Sequence, residues 1–140
     1  MKIAVINPVS SGKCLLKSLE DIGATVMKIY EDHLKPDNGD FFVFLNFDET
    51  IAHLKIHGIQ SIINGSEFGT FITDKLNYLM GFLGNDFSKV QSRINKYEMF
   101  KQLQQSDLKC AQSFTIDSYD ELESLHQKIN FPLFIKPVDS

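Results

Sequence analysis

Lys96 stands where a bound phosphate would explain its position. It follows Asn95, and Glu98 lies three residues after Asn95, a spacing that resembles a capping box with Asn95 as the cap. Lys96 is therefore predicted in the first turn of a helix, where a cation opposes the helix dipole at a cost of a few tenths to ~1 kcal/mol. An anion held by the helix end and the ammonium together would reverse that preference. A solvated surface lysine is the alternative.

Lys136 interrupts a strongly apolar run. In residues 133–138 it would share one face of a strand with Phe134 and Val138. We expect this lysine to be buried, and it then needs a carboxylate or phosphate partner because desolvating an ammonium is costly. Pro137 cannot donate to a sheet, so Lys136 is predicted where a strand opens into a loop.

A polar loop follows the first apolar run of the chain. Ser10, Ser11 and Gly12 lie between a predicted strand and a predicted helix, where backbone N–H groups of α/β sheets bind anions. A phosphate loop is not supported, because it would need glycine in place of Asn7 and Ser or Thr in place of Cys14. Both a small carboxylate or phosphate site and a plain helix start capped by Ser10 or Ser11 remain open.

Glu67 lies in a second loop, at the same end of the predicted sheet as Ser10, Ser11 and Gly12. Residues 64–69 follow the fourth predicted strand, and ligands of open α/β folds bind at the carboxyl ends of strands. Glu67 is predicted to begin a helix, where an acid complements the helix dipole. A substrate contact and a helix start capped by Ser66 both fit the pattern.

Other reactive residues form no convincing set. Glu49, His53 and His57 share a helix face as metal ligands could, but no further ligands lie nearby, so we predict a surface histidine pair and no metal site. The two cysteines, Cys14 and Cys110, form no Cys-x-x-Cys pair and are predicted to be reduced thiols.

Alternating strands and helices would position these candidates. Strands are predicted at residues 2–7, 25–30, 42–45 and 59–63, and helices before Gly23, at 49–57 and at 67–83. The aromatic row Phe41, Phe42, Phe44 and Phe47 is interpreted as core. Such alternation predicts an α/β fold, a Rossmann-like parallel sheet with flanking helices over residues 1–83.

The pattern changes after residues 84–86. A helix is predicted near 95–105, a strand at 112–116, a helix at 118–128 and a strand at 132–137. Residues 84–140 are therefore predicted to be an incomplete α+β segment that begins a second domain. We expect a truncation, because the sequence ends three residues after the last predicted strand.

Composition excludes several functional classes. The net charge of −4 is unlike the basic surface of a nucleic-acid binder. No apolar run approaches the ~20 residues of a membrane span. These features predict a cytoplasmic protein that binds neither nucleic acid nor membranes.

Several segments, in order, resemble those of an ATP-grasp ligase. Residues 92–101 resemble the passage into its nucleotide-binding domain, although Asn95 replaces the usual Asp. Residues 118–122 resemble a following helix, and residues 131–137 resemble a strand that carries a lysine before proline. The N-terminal part, including residues 8–12 and Glu67, resembles the pre-ATP-grasp domain of the carbamoyl-phosphate-synthase and L-amino-acid-ligase branch.

This resemblance implies an ATP-dependent ligase. Such an enzyme activates a carboxylate as an acyl phosphate, which an amine, ammonia or a thiol then attacks. By resemblance, Lys96 and Lys136 contact ATP, whereas the magnesium ligands would follow Ser140. The 140-residue chain is thus expected to be an N-terminal fragment that is inactive alone, and whether it is itself an enzyme stays open.

The expected partners are a nucleotide and a small carboxylate substrate. Ser10, Ser11, Gly12 and Glu67 are the candidate substrate-binding residues. A second copy of the chain, in a homodimer, is a further candidate partner. Two alternatives remain: a stand-alone Rossmann-like domain that binds a small ligand, and a non-catalytic subunit whose second domain is completed by another polypeptide.

Overall fold

The structure is a computed structural model that describes residues 1–125, 128–129 and 131–138. It comprises two compact units, Met1–Val90 and Gln91–Ser140. The domain limits 1–83 and 84–140 remain sequence-based predictions. None of the described helices is both long enough and apolar enough to cross a membrane.

The first unit is built on a four-stranded parallel sheet. Strand β1 (Lys2–Ile6) pairs with β2 (Thr25–Tyr30) and β4 (Ser61–Asn64), and β2 pairs with β3 (Phe42–Val43). The strand order is therefore β3-β2-β1-β4. Four of the five β1 residues are buried, as a continuous apolar run in a parallel sheet predicts. The predicted Rossmann-like α/β fold is confirmed.

Three helices accompany these strands. They are α1 (Gly12–Asp21), α2 (Phe47–Ile56) and α3 (Thr70–Met80). Gly23 and Gly58 follow the first two with φ angles of 75° and 64°, the left-handed conformation that ends helices, so both predicted stops are confirmed. A 3-10 turn at Glu67–Gly69 precedes α3, which makes the predicted helix at 67–83 shorter than expected.

Apolar side chains pack on both faces of the sheet. Consecutive residues of β1 point to opposite sides, so they divide between two clusters. One cluster contains Ala4, Ile6, Ile29, Leu54, Ile59, Ile62, Ile72 and Leu76, and the other contains Ile3, Val5 and Leu19. Phe42, Phe44 and Phe47 pack against the first cluster, and the Phe41 ring contacts Tyr30, which confirms the aromatic row as core.

His53 of α2 lies in a stack of rings. Its ring centroid is 4.1 Å from that of Phe42 and 4.1 Å from that of His57. Burial, and next the nearby His57, lower the pKa of His53 below its ordinary value of 6.5. The unfolded chain therefore binds this proton more readily than the folded chain. The contribution of neutral His53 to the stability of the folded chain is complete above pH 6.5 and is lost as the pH falls below that value.

We expect His53→Phe to weaken the pH dependence of stability. Phenylalanine keeps the stacking surface but cannot take up a proton, so the fall in Tm between about pH 7.5 and about pH 5 should be smaller than in the wild type. Circular-dichroism melts across this range measure the effect. His33→Phe, which changes an exposed histidine outside the stack, is the control. Equal slopes in the wild type and His53→Phe would refute the prediction.

The described part of the second unit contains three helices. They are α4 (Gln91–Ile94), α5 (Lys96–Gln105) and α6 (Tyr119–Leu125). Asn95 Oδ1 accepts a hydrogen bond from the N–H of Glu98 at 3.0 Å, which confirms Asn95 as the cap. The helix predicted at 118–128 is observed to Leu125, and residues 126 and 127 of that prediction lie outside the described residues.

The two strands predicted in the second unit are wrong. Residues 112–116 and 132–137 form neither helix nor strand. A strand exists only with a hydrogen-bonded partner, and the backbone bonds found among the described residues join neither segment to another strand. The β part of the predicted α+β segment is therefore not formed in the part of the unit that the structure describes.

Candidate functional site

Both predicted lysines line one cavity within the second unit. The cavity has a volume of about 580 Å³. This value lies within the range of small-molecule sites, ~300–1,000 Å³. Lys96 enters it from the start of α5, and Lys136 enters it from the irregular segment 131–138. The structure thus brings together two residues that are remote in sequence.

Lys96 is the first residue of α5, as the capping pattern predicts. Its backbone N–H donates to the carbonyl oxygen of Val138 at 3.1 Å, which ties the helix start to the segment that carries Lys136. The side chain is half-buried. An anion in the cavity would meet an ammonium group close to the positive end of a helix.

Lys136 is exposed, so the prediction of a buried lysine is wrong. Its neighbours Phe134 and Ile135 are 88% and 74% exposed. The prediction failed because it assumed a covered strand, whereas this segment has no strand partner among the described residues. The Lys136 Nζ lies 5.4 Å from the centroid of the Phe100 ring, a cation–π distance. Lys136 is a solvated cation beside an aromatic ring.

The described residues that line this cavity include two lysines and no Asp or Glu. The nearby Glu98 is engaged elsewhere: its Oε1 lies 2.8 Å from the Nζ of Lys101, and this hydrogen bond raises the pKa of Lys101. Four aromatic residues, Tyr97, Phe100, Phe114 and Phe134, also line the cavity. The arrangement suits a planar ring joined to an anionic group.

A second candidate site lies in the first unit, where the loops after β1 and β4 press together. A Cβ atom on Gly12 would lie 2.2 Å from the carbonyl oxygen of Gly65, and one on Gly65 would lie 2.6 Å from that of Ile6. Glycine is therefore required at both positions by close backbone approach. Ser10, Ser11 and Glu67 are exposed in these two adjoining loops, and Gly12 is buried between them.

Ser11 and Ser66, the serines offered as caps in the alternative interpretations, occupy N-cap positions but make no side-chain capping bond. Ser11 occupies the N-cap position of α1, but its φ and ψ of −62° and −22° are helical and its side chain makes no capping bond. A capping residue normally has extended backbone, from which its oxygen reaches the helix N–H groups. Ser66 also makes no capping bond, and its buried Oγ has no hydrogen-bond partner among the residues that the structure describes. An unsatisfied hydroxyl at this edge leaves a donor and acceptor for a ligand.

Sequence reasoning missed Asn7 and Glu31 at this edge. Asn7 is fully buried, with a φ of 48°. Its Nδ2 donates to Glu31 Oε2 at 2.7 Å, and its Oδ1 accepts from the Glu31 N–H at 2.9 Å. Two signals could have found the pair: asparagine tolerates left-handed backbone, and an acid at the end of the second strand is common in Rossmann-like folds.

No protein-family model and no curated protein sequence matches the chain. The structure is similar to that of L-amino acid ligase from Bacillus licheniformis, with a TM-score of 0.76 and 18% sequence identity. It is also similar to phosphoribosylglycinamide synthetase from Anaerococcus prevotii, with a TM-score of 0.63 and 12% identity. The chain therefore shares its fold with part of each of these two solved structures.

The shared fold extends over nearly the whole chain. The two matches cover 99% and 94% of its residues. They cover only 36% and 35% of the two solved ligase chains, so this chain spans about a third of their length. At the level of fold, the predicted likeness to an L-amino acid ligase is confirmed.

Proposed function

We propose that this chain is the N-terminal part of an ATP-dependent ligase that joins a carboxylate to an amine, ammonia or a thiol, with Lys96 and Lys136 binding ATP. One observation carries the proposal: in a chain of net charge −4, the described lining of one cavity holds two lysines and no carboxylate. The likeness of the fold to two ATP-grasp ligases supports it. We also propose that the protein is cytoplasmic.

In this reaction a carboxylate oxygen attacks the γ-phosphorus of ATP and ADP leaves, which forms the acyl phosphate. The nucleophile then attacks the carbonyl carbon and phosphate leaves. Lys96 and Lys136 would neutralise phosphate charge, a role that suits the compact ammonium group. Charges fixed before the reaction stabilise a transition state without reorganisation.

Magnesium accompanies ATP in this proposal, but the described residues do not offer a set of ligands for a magnesium ion. They contain no group of three or more His, Cys, Asp or Glu side chains that could hold a metal ion. No step is therefore assigned to magnesium in this chain.

The small carboxylate substrate is proposed to bind at the edge of the first unit. Its contacts would come from Ser10, Ser11, Gly12 and Glu67. The buried Oγ of Ser66, which makes no hydrogen bond within the described part of the chain, supports a polar ligand there. Close packing of the two loops supports a preformed site, because Gly12 and Gly65 leave no room for rearrangement.

Labelling with adenosine diphosphopyridoxal tests the nucleotide site. The aldehyde of this reagent lies at the phosphate end of the nucleotide, so it forms Schiff bases with lysines that bind phosphate, and borohydride reduction makes the bonds permanent for peptide mapping. We expect Lys96 and Lys136 to be labelled about tenfold faster than the exposed lysines Lys55 and Lys109, and excess ATP to remove the difference. Lys96→Met should slow labelling of Lys136, because both contact the same ligand. Circular dichroism verifies that the variant is folded.

Two results would contradict the assignment. Uniform labelling that ATP does not suppress would exclude a nucleotide site at Lys96 and Lys136. ATP-sensitive labelling of Lys13, in the first turn of α1, would place the nucleotide in the first unit instead. That second result would favour the stand-alone ligand-binding domain.

A further inference from the structure

Two Asn-Gly pairs of the first unit lie in opposite environments. Asn38-Gly39 lies in the irregular residues 35–41 that precede β3, whereas Asn64 is the last residue of β4 and is followed by Gly65. Asparagine deamidates most readily before glycine, because glycine has no side chain to shield its nitrogen and its backbone bends freely. The two dipeptides are identical, so a large difference in their reactivity must come from the fold.

Deamidation begins when the backbone nitrogen of the following residue attacks the side-chain amide carbon of asparagine. A new C–N bond forms, the bond to the amide nitrogen breaks, and ammonia leaves with the proton of the attacking nitrogen. Water then opens the resulting succinimide ring at either carbonyl, which yields aspartate or isoaspartate. The chain loses ammonia and gains water. The attack requires an accessible backbone N–H and a backbone that can bend towards the side chain.

Asn38-Gly39 meets both requirements. Both residues are exposed. Within the part of the chain that the structure describes, no group bonds to the Asn38 side chain and the Gly39 N–H has no acceptor. Gly39 has a φ of 113°, and a Cβ there would meet nothing within 4 Å. The Gly39 nitrogen is therefore accessible, and the backbone has room to reach the geometry of attack.

The same dipeptide is blocked at Asn64-Gly65. The Gly65 N–H donates to the carbonyl oxygen of Ile6 at 2.7 Å, so the attacking nitrogen is bonded to the neighbouring strand. The Nδ2 of Asn64 donates to Thr70 Oγ1 at 2.9 Å, which holds the side-chain amide in place. A Cβ on Gly65 would lie 2.6 Å from one backbone atom and 2.7 Å from another, so the chain cannot bend there. Attack at Asn64 requires β4 to separate locally from β1.

We propose that Asn38 is a site of spontaneous deamidation in the folded protein, and that the fold protects Asn64 from the same reaction. The product places a new carboxylate between Asp37 and Asp40. Isoaspartate also adds one methylene to the backbone of the segment that leads into β3. The protein would therefore accumulate with age as a mixture of differently charged forms. This inference does not depend on the proposed function.

Peptide mapping of the folded 140-residue chain during incubation at mildly alkaline pH tests the proposal. Trypsin places Asn38 in the peptide 29–55 and Asn64 in the peptide 56–75, so mass spectrometry follows the two reactions separately. We expect Asn38 to deamidate at least about tenfold faster than Asn64, because opening the Gly65 hydrogen bond alone accounts for about that factor. Methylation by an isoaspartate methyltransferase identifies the isoaspartate product.

Incubation in concentrated guanidinium chloride is the matched control. Unfolding releases the Gly65 N–H, so Asn64 should then react at nearly the same rate as Asn38. Asn38→Gln is the control for the site, because its longer side chain closes a ring much less readily. This variant should stop the reaction at position 38 and leave the slow reaction of Asn64 unchanged. Circular dichroism verifies that it is folded.

Three outcomes would overturn the proposal. One is equal deamidation of Asn38 and Asn64 in the folded chain. Another is an Asn38 that stays intact in the folded chain over a period in which the unfolded chain reacts completely. The third is a ratio of the two rates that guanidinium chloride leaves unchanged, which would assign the difference to neighbouring residues in the sequence and not to the fold.

Discussion

Replacing Gly65 by alanine should destabilise the first unit by about 3 kcal/mol, the upper end of the usual cost of overpacking. The new Cβ would lie 2.6 Å from the carbonyl oxygen of Ile6 and 2.7 Å from the Cα of Pro8. Both obstructing atoms belong to the backbone, so a change of rotamer cannot relieve the clash. They also continue the central strand β1, which is paired on both sides and cannot shift freely.

Gly58→Ala is the matched control for this substitution. Gly58 has a left-handed φ of 64°, but a Cβ there would meet nothing within 4 Å. Its replacement should cost only the backbone preference, about 1 kcal/mol. Urea unfolding of both variants measures the difference. Equal losses of unfolding free energy would show that the loops after β1 and β4 do not press together as described.

Asn7→Asp should be the most damaging conservative substitution in the chain, with a loss of about 3 kcal/mol near neutral pH. Asn7 is fully buried, and its Nδ2 donates to the carboxylate of Glu31. Aspartate has no N–H at this position, so two carboxylates would face each other in place of a hydrogen bond. The folded variant would hold a shared proton more tightly than the unfolded chain, so the deficit should shrink as the pH falls.

Asn46→Asp provides a closely matched control. Asn46 makes the same pair of bonds with Glu49: its Nδ2 donates to the carboxylate at 2.9 Å, and its Oδ1 accepts from the backbone N–H at 2.9 Å. Asn46 is exposed at the start of α2, where water screens the charges and Asp is an equally good cap. Chemical unfolding near pH 7 and near pH 4.5 should show a large, pH-dependent loss only for Asn7→Asp. Similar losses in the two variants would mean that burial does not govern the effect.

The first unit could be predicted because its signals are local. The apolar run of β1, the helical spacing of Ile72 and Leu76, and the stop at Gly23 each depend on a few neighbouring residues. The cap at Asn95 is local in the same sense, and it located Lys96 correctly in the first turn of α5.

The second unit could not be predicted as well, because strand pairing and burial depend on remote residues. The apolar run around Lys136 has the composition of a strand, but composition does not supply a partner. The same limit applies to Asn7 and Glu31, which meet only after β1 and β2 pair. Ser11 failed as a cap for a different reason: it adopts helical backbone, so its hydroxyl does not reach the helix N–H groups.

The strand order of the sheet has a consequence for synthesis of the protein on the ribosome. Strand β1 is made first, yet it lies in the centre of the sheet, between β2 and β4, and β4 is made only after β3 and α2. The hydrogen-bonding groups along one edge of β1 can pair early with β2. Those along the other edge stay unpaired until β4 has emerged. During that interval this apolar strand exposes its hydrogen-bonding groups to other nascent chains. Slow translation between residues 30 and 61 would therefore lengthen the period in which this protein is most vulnerable to aggregation.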